Sequence, residues 1–137
     1  VHWGLYWLHR HQHPDGSWSM DHTRRAEGRT SGGGQLKSDM AATALGVLPF
    51  LAAGYTHKEP PALKDSLLKS LQWMIESQQS NGLLLGPKDQ EKYLTHGLAA
   101  LTLCEAYALT KDEMLAPHAR QAVTYLVESQ NSDGTWG

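Results

Sequence analysis

Leu5-Tyr6-Trp7-Leu8-His9-Arg10-His11-Gln12-His13-Pro14-Asp15-Gly16-Ser17-Trp18 decides the fold, because the chain repeats its pattern twice more. Leu71 to Leu84 and Val123 to Trp136 align with it without a gap. The shared skeleton runs aromatic, aliphatic, three residues, Gln, three residues, Gly, one residue, Trp. Its aromatics are Trp7, Trp73 and Tyr125, its glutamines Gln12, Gln78 and Gln130, and its glycines Gly16, Gly82 and Gly134. The closing residue is Trp18 in the first copy and Trp136 in the third, with Leu84 in the second. Self-similarity of this kind marks a repeat architecture.

Each copy reads as a helix end followed by a turn. Leu63, Leu67, Leu71, Met74 and Gln78 fall on one helical stripe, as do Leu115, Ala119, Ala122, Val123, Leu126 and Gln130. Pro14-Asp15-Gly16, Ser80-Asn81-Gly82 and Ser132-Asp133-Gly134 place Asp or Asn before a Gly, which suits a turn ending at positive φ. Between the copies lie two more helices, Ser38 to Gly54 and Leu94 to Leu109. Both are apolar nearly all round, as buried helices are. Ser38 is the expected N-cap of the first, Asp39 favours its dipole, and Pro49 is expected to kink it. The order is amphipathic, buried, amphipathic, buried, amphipathic, which predicts an outer and an inner layer. Ser19 to Lys37, with Arg24, Arg25, Arg29 and Gly32-Gly33-Gly34, is expected to be the least ordered connection.

Composition agrees. The 13 Gly come without alternating Val-rich runs, so no strand is predicted. A formal net charge of -2 gives no footprint for nucleic acid. No apolar run approaches the length of a membrane span. Cys104 is the single cysteine and excludes an internal disulfide.

The Gln–Gly–Trp skeleton resembles the QW motif of squalene–hopene and oxidosqualene cyclases, with Trp7-Leu8, Gln12, Gly16 and Trp18 matching it best. The resemblance implies an all-α fold, a partial α/α toroid of helical hairpins shared with prenyltransferase β subunits. Residues 1–137 are expected to form one incomplete toroid domain, a segment of a longer protein. The resemblance also implies that the motifs staple outer helices together, through Gln12 with Trp18 and Gln130 with Trp136. Gln78, lacking its Trp, should hold more weakly. From the residues themselves, each Gln follows an apolar core position by one turn, so it is expected to be buried and hydrogen-bonded to helix-end and turn groups. The glutamines are read as structural, not catalytic.

Catalytic residues are harder to find. Cyclases of this type protonate an alkene or epoxide from an Asp-x-Asp-Asp-Thr-Ala motif at the head of an inner helix. In Leu36-Lys37-Ser38-Asp39-Met40-Ala41, Ser38 stands where the proton donor would be. Without that acid no side chain is strong enough for the reaction. Ser38-Asp39 therefore reads as a helix start, and the alternative is a cavity-facing Asp39 that contacts a ligand. His96 and Glu105 are the other candidates to line a cavity, and pairing with Arg or Lys is the alternative for Glu105. A prenyltransferase-like zinc site would need Asp39, His96 and Cys104. His96 and Cys104 lie about 12 Å apart along one helix, too far to share an ion with ligand bonds of about 2 Å. His9 and His13 have chelating spacing, but Pro14 biases His13 out of the helix. No metal and no cofactor is predicted. The expected partner is an apolar small molecule or a partner domain, and uncovered inner helices predict self-association. Two functions follow: a scaffold or binding module, or a fragment of a terpene cyclase whose acid lies elsewhere.

Overall fold

The computed structural model describes residues 2–21 and 35–137. Most of the connection expected to be least ordered, including its arginines and glycines, lies outside them. Five helices follow one another: α1 (His2–His11), α2 (Asp39–Ala52), α3 (Pro61–Glu76), α4 (Lys92–Thr110) and α5 (Ala116–Glu128). Among the described residues there is no strand beyond one isolated bridge, Gln78 with Leu84. The fold is all-α, as the periodicity predicts.

α2 starts where its sequence says it should. The Ser38 hydroxyl accepts from the Ala41 N–H at 3.0 Å and so fills one of the orphan donors of the first turn. Asp89, from the connection before α4, accepts from two more. Its carboxylate accepts from the N–H groups of Asp39 (2.9 Å), Met40 (3.3 Å) and Gly86 (2.8 Å). A carboxylate there also favours the helix dipole. α2 runs through Pro49 to Ala52.

α2 and α4 lie side by side and run the same way. At their heads Ser38 Oγ meets Thr95 Oγ1 at 3.0 Å, and Gln90 N–H donates to the Lys37 carbonyl at 2.7 Å. At their tails the segment after α2 reaches the one after α4. His57 Nε2 and Lys58 Nζ lie 2.8 and 2.7 Å from Asp112 Oδ2. α3 packs on α2, α5 on α4, and α1 on α2. The core lies between these helices and includes Met40, Val47, Phe50, Leu67, Leu71, Met74, Leu103 and Leu115.

The Lys58 ammonium, and then His57 and the Met114 N–H, hold the Asp112 carboxyl far below the usual carboxylate value of 3.8. A folded-state pKa that is depressed contributes stability above the unfolded pKa, and this is lost as pH falls through the folded one. We therefore expect Asp112→Ala to melt earlier than the parent at pH 7, by about 1–3 kcal/mol for the buried partner left unpaired. The gap should close as pH falls below 3.8, which thermal melts across pH would read.

Candidate functional site

The three turns are built alike. His13, Gln79 and Asn131 each donate N–H to the residue four further on, at 2.8, 2.8 and 2.9 Å, and their carbonyls accept from the turn Gly. Asp15, Asn81 and Asp133 each accept the N–H two residues on, at 3.0, 3.1 and 3.0 Å. Gly16, Gly82 and Gly134 have φ of 96°, 90° and 85°, which a side chain would strain. Burial raises the Asp15 carboxyl, but bonds from the Ser17 N–H and hydroxyl outweigh it and hold the group below its usual value.

Each glutamine amide then binds its own turn. Gln12, Gln78 and Gln130 donate to the carbonyls of Gly16, Gly82 and Gly134 at 3.0, 3.0 and 2.9 Å. The first two also cross to another helix, α3 and α5 in turn. Gln12 donates to the Ser66 carbonyl at 2.9 Å and to Ser70 Oγ at 2.8 Å, and accepts from the Ser66 hydroxyl. Gln78 donates to the His118 carbonyl at 3.0 Å, and its oxygen lies 2.7 Å from His118 Nδ1. The turn glycines press equally close. A Cβ on Gly16 would sit 2.5 Å from the Lys69 carbonyl carbon, and one on Gly82 would sit 2.3 Å from the Gln121 oxygen. Gly82→Ala should therefore force α5 away from its turn as well as strain the backbone. We expect a loss above the roughly 1 kcal/mol that separates Gly from Ala in ordinary settings, with Gly134→Ala milder; denaturant midpoints would check this.

The closing residues reach both ways. Trp18 is buried, donates its indole N–H to the Leu8 carbonyl at 2.8 Å, and lies so close to Gly46 of α2 that a Cβ there would meet the ring at 2.6 Å. Its main-chain N–H donates to Thr43 Oγ1 at 3.0 Å. Leu84 is buried likewise, its N–H donating to His96 Nδ1 at 2.9 Å. The second turn, expected to hold more weakly without a Trp, lacks the indole bond of the other two and keeps the glutamine and main-chain bonds. The third departs from expectation. Trp136 donates to the Leu126 carbonyl at 2.8 Å as Trp18 does to Leu8, yet it is 44 % exposed, and Gln130 is exposed. The physical reason is that, among the described residues, no helix lies against that turn.

The candidate cavity residues separate. Asp39 is exposed and lines a polar cavity of about 450 Å3 at the head of α2, with Ser19, Asp21, Lys37, Lys88 and Asp89. Asp89 was not legible as part of it, since it reaches Asp39 from 50 positions away in sequence. His96 lies in the core. It is fully buried, accepts from Leu84 at Nδ1 and bonds the Ala122 carbonyl through Nε2 at 3.0 Å, with its ring edge-on to Tyr125. That pairing makes it the neutral Nε2–H tautomer, and burial lowers its pKa. With both nitrogens bonded, it is not available to a metal. Glu105 is exposed on α4, away from Asp39. Cys104 is half-buried, its thiol pushed up by burial, in an open groove of about 320 Å3 with Tyr107, Ala119, Arg120 and Val123.

The geometry is suited to contact. Leu94, Leu101, Leu109, Val123, Val127 and Trp136 are 54, 48, 53, 44, 67 and 44 % exposed on α4, α5 and the last turn, while Leu48 and Leu98 are half-buried. No helix is long and apolar enough among the described residues to cross a membrane. Comparison with known proteins finds no match among family models, curated proteins or solved structures.

Proposed function

We propose that this chain is a module of the cyclase-like QW-repeat type, part of an α/α toroid, that works as a scaffold and offers an apolar surface to a partner domain or an apolar small molecule. The observation that carries this reading is the exposure of Val123 and Val127, one turn apart on α5, and of Trp136 in the turn that follows. Scattered exposed aliphatics are ordinary, but a contiguous set on adjoining elements marks an interaction surface. The catalytic alternative, a terpene cyclase fragment, draws on Asp39 at the mouth of its cavity. Asp39 is exposed, and Ser38, beside it, spends its hydroxyl on the Ala41 N–H and on Thr95.

Two measurements separate the readings. A binding module should enhance the fluorescence of anilinonaphthalene sulfonate, and Val127→Glu should reduce that enhancement. Incubation with squalene should give no cyclised product. A cyclised product that disappears in Asp39→Asn would replace the binding reading with the enzyme, and absence of dye binding would remove the apolar surface on which it stands.

A further inference from the structure

The first turn carries a ring nitrogen that its own architecture does not use. The Ser17 N–H and hydroxyl both bond Asp15 Oδ1, at 3.0 and 2.7 Å. An ionised carboxylate only accepts, so the single hydroxyl proton of Ser17 goes to Asp15. Ser17 Oγ therefore meets His13 Nδ1, 3.2 Å away, as an acceptor, and Nδ1 carries the ring proton. The third turn holds the same chain in the same direction. There Asn131 Nδ2 donates to Thr135 Oγ1 at 3.1 Å, and Thr135 Oγ1 donates to Asp133 Oδ1 at 2.7 Å. An Asn thus meets everything the turn asks of this position. His13 adds Nε2, a lone pair in the neutral ring, and it has no hydrogen bond among the described residues.

His13 lines a cavity of about 180 Å3 whose other walls include Trp7, Leu8, Trp18, Met20 and Leu45. Ser17 is not on that wall, so its bond draws the Nδ1 edge of the ring away and leaves Nε2 as the atom the ring can offer there. The space suits one ring, since a cavity of about 150 Å3 with apolar walls holds benzene. Trp7 and Leu45 are both 45 % exposed, so a ring seated against them would take apolar surface out of water. The two indoles add edge-on or offset contacts with an aromatic guest. A bare lone pair asks that guest for a donor and turns away a carboxylate. We propose that this cavity binds a small single-ring phenol, whose hydroxyl donates to His13 Nε2 while its ring packs on the apolar walls. His11, also on the wall, is engaged otherwise. Its Nδ1 lies 2.7 Å from the Trp7 carbonyl, and its ring stacks on that of Trp7 with centroids 3.8 Å apart. The cavity shares no residue with the α5 edge, so either site can fail without the other.

Phenol and toluene, alike in size and different in the hydroxyl, are the probes. In titrations of isotope-labelled protein followed by NMR, with His13 neutral, phenol should shift the Trp7 and Trp18 indole N–H signals saturably, with a Kd of about millimolar or below. Phenol should also move the His13 Nε2 resonance upfield, as accepting a hydrogen bond does, and toluene should leave it in place. His13→Asn keeps the bond to Ser17, as Asn131 does with Thr135, but does not extend to the Nε2 position. It should lower the ratio of phenol to toluene affinity about tenfold, or about 1.4 kcal/mol, a comparison in which transfer from water cancels. His11→Asn and Asp21→Asn should leave that ratio as it is. An unchanged ratio in a folded His13→Asn overturns the proposal. If that variant melts early, the unaltered protein decides, and a His13 Nε2 signal that phenol does not move overturns it. So does no saturable shift at either indole up to about 10 mM phenol. A fall in the ratio with His11→Asn or Asp21→Asn in place of His13→Asn moves the acceptor and overturns the assignment. Loss of phenol binding in Val127→Glu puts the ring on the α5 edge and overturns this site while that surface stands. Tighter binding of N-acetyltyrosinamide than of phenol hands the cavity to a tyrosine side chain and overturns the small-molecule assignment.

Discussion

Trp18→Ala is expected to lower stability by about 3–5 kcal/mol, the range for a large aromatic removed from a core. Trp136→Ala should cost less, about 1–2 kcal/mol, since much of its surface is already in water. Both indoles make the same bond, to Leu8 and to Leu126, each at 2.8 Å. The difference between the two variants therefore isolates burial from the hydrogen bond. Trp18 fills the space between α1 and α2, against Gly46 and near Phe50, whose ring centroid lies 6.5 Å away. Its removal opens a void next to a cavity of about 180 Å3 lined by Leu8, Met20 and Leu45. Urea unfolding of both variants at pH 7 would check the ordering. Equal losses would mean that the hydrogen bond, and not the packing, carries the contribution.

The turns were legible because their requirements are local. An Asp or Asn that accepts the N–H two residues on, and a Gly at positive φ, can be read from the residues alone, as can the Ser38 cap of α2. Burial of a repeat position was not legible, because it depends on the neighbour. Gln130 and Trp136 carry the same side chains as Gln12 and Trp18 and hold the same local bonds, yet they are exposed where none of the described helices covers them. The relation between α2 and α4 was hidden for another reason. Thr43 and His96 do one job, accepting the N–H of the closing residue, with side chains that share no pattern. His96 stood out in the sequence as a titratable group on an apolar helix and so looked like part of a cavity. Its partners, Leu84 and Ala122, are backbone groups, which leave no mark in a list of side chains. Asp89 was missed similarly, since the helix it caps is not the one it precedes.

His96→Ala should be as damaging as any single change in the chain. It removes a fully buried ring and strands two backbone groups, the Leu84 N–H and the Ala122 carbonyl. Each buried group left without a partner costs about 1–3 kcal/mol, and the void adds to this, so a loss of about 3–5 kcal/mol is expected. Such a loss is a large part of the roughly 5–15 kcal/mol that keeps a domain folded. His96→Gln should recover part of it, because an amide can still accept from one side and donate to the other. The same geometry sets a pH dependence. Burial, opposed by the bond to Ala122, lowers the folded-state pKa of His96 below the ordinary 6.5. Between those two values the unfolded chain binds a proton that the folded chain refuses, so this contribution to stability rises with pH there. Protonation at Nδ1 would also put two donors face to face, the ring N–H and the Leu84 N–H. The parent should therefore lose stability as pH falls below 6.5, while His96→Gln should lack that component. A parent and variant with parallel melting curves from pH 8 to 5 would show that the folded and unfolded chains take up the ring's proton alike, and that the neutral tautomer is not what joins α4 to the second turn and α5.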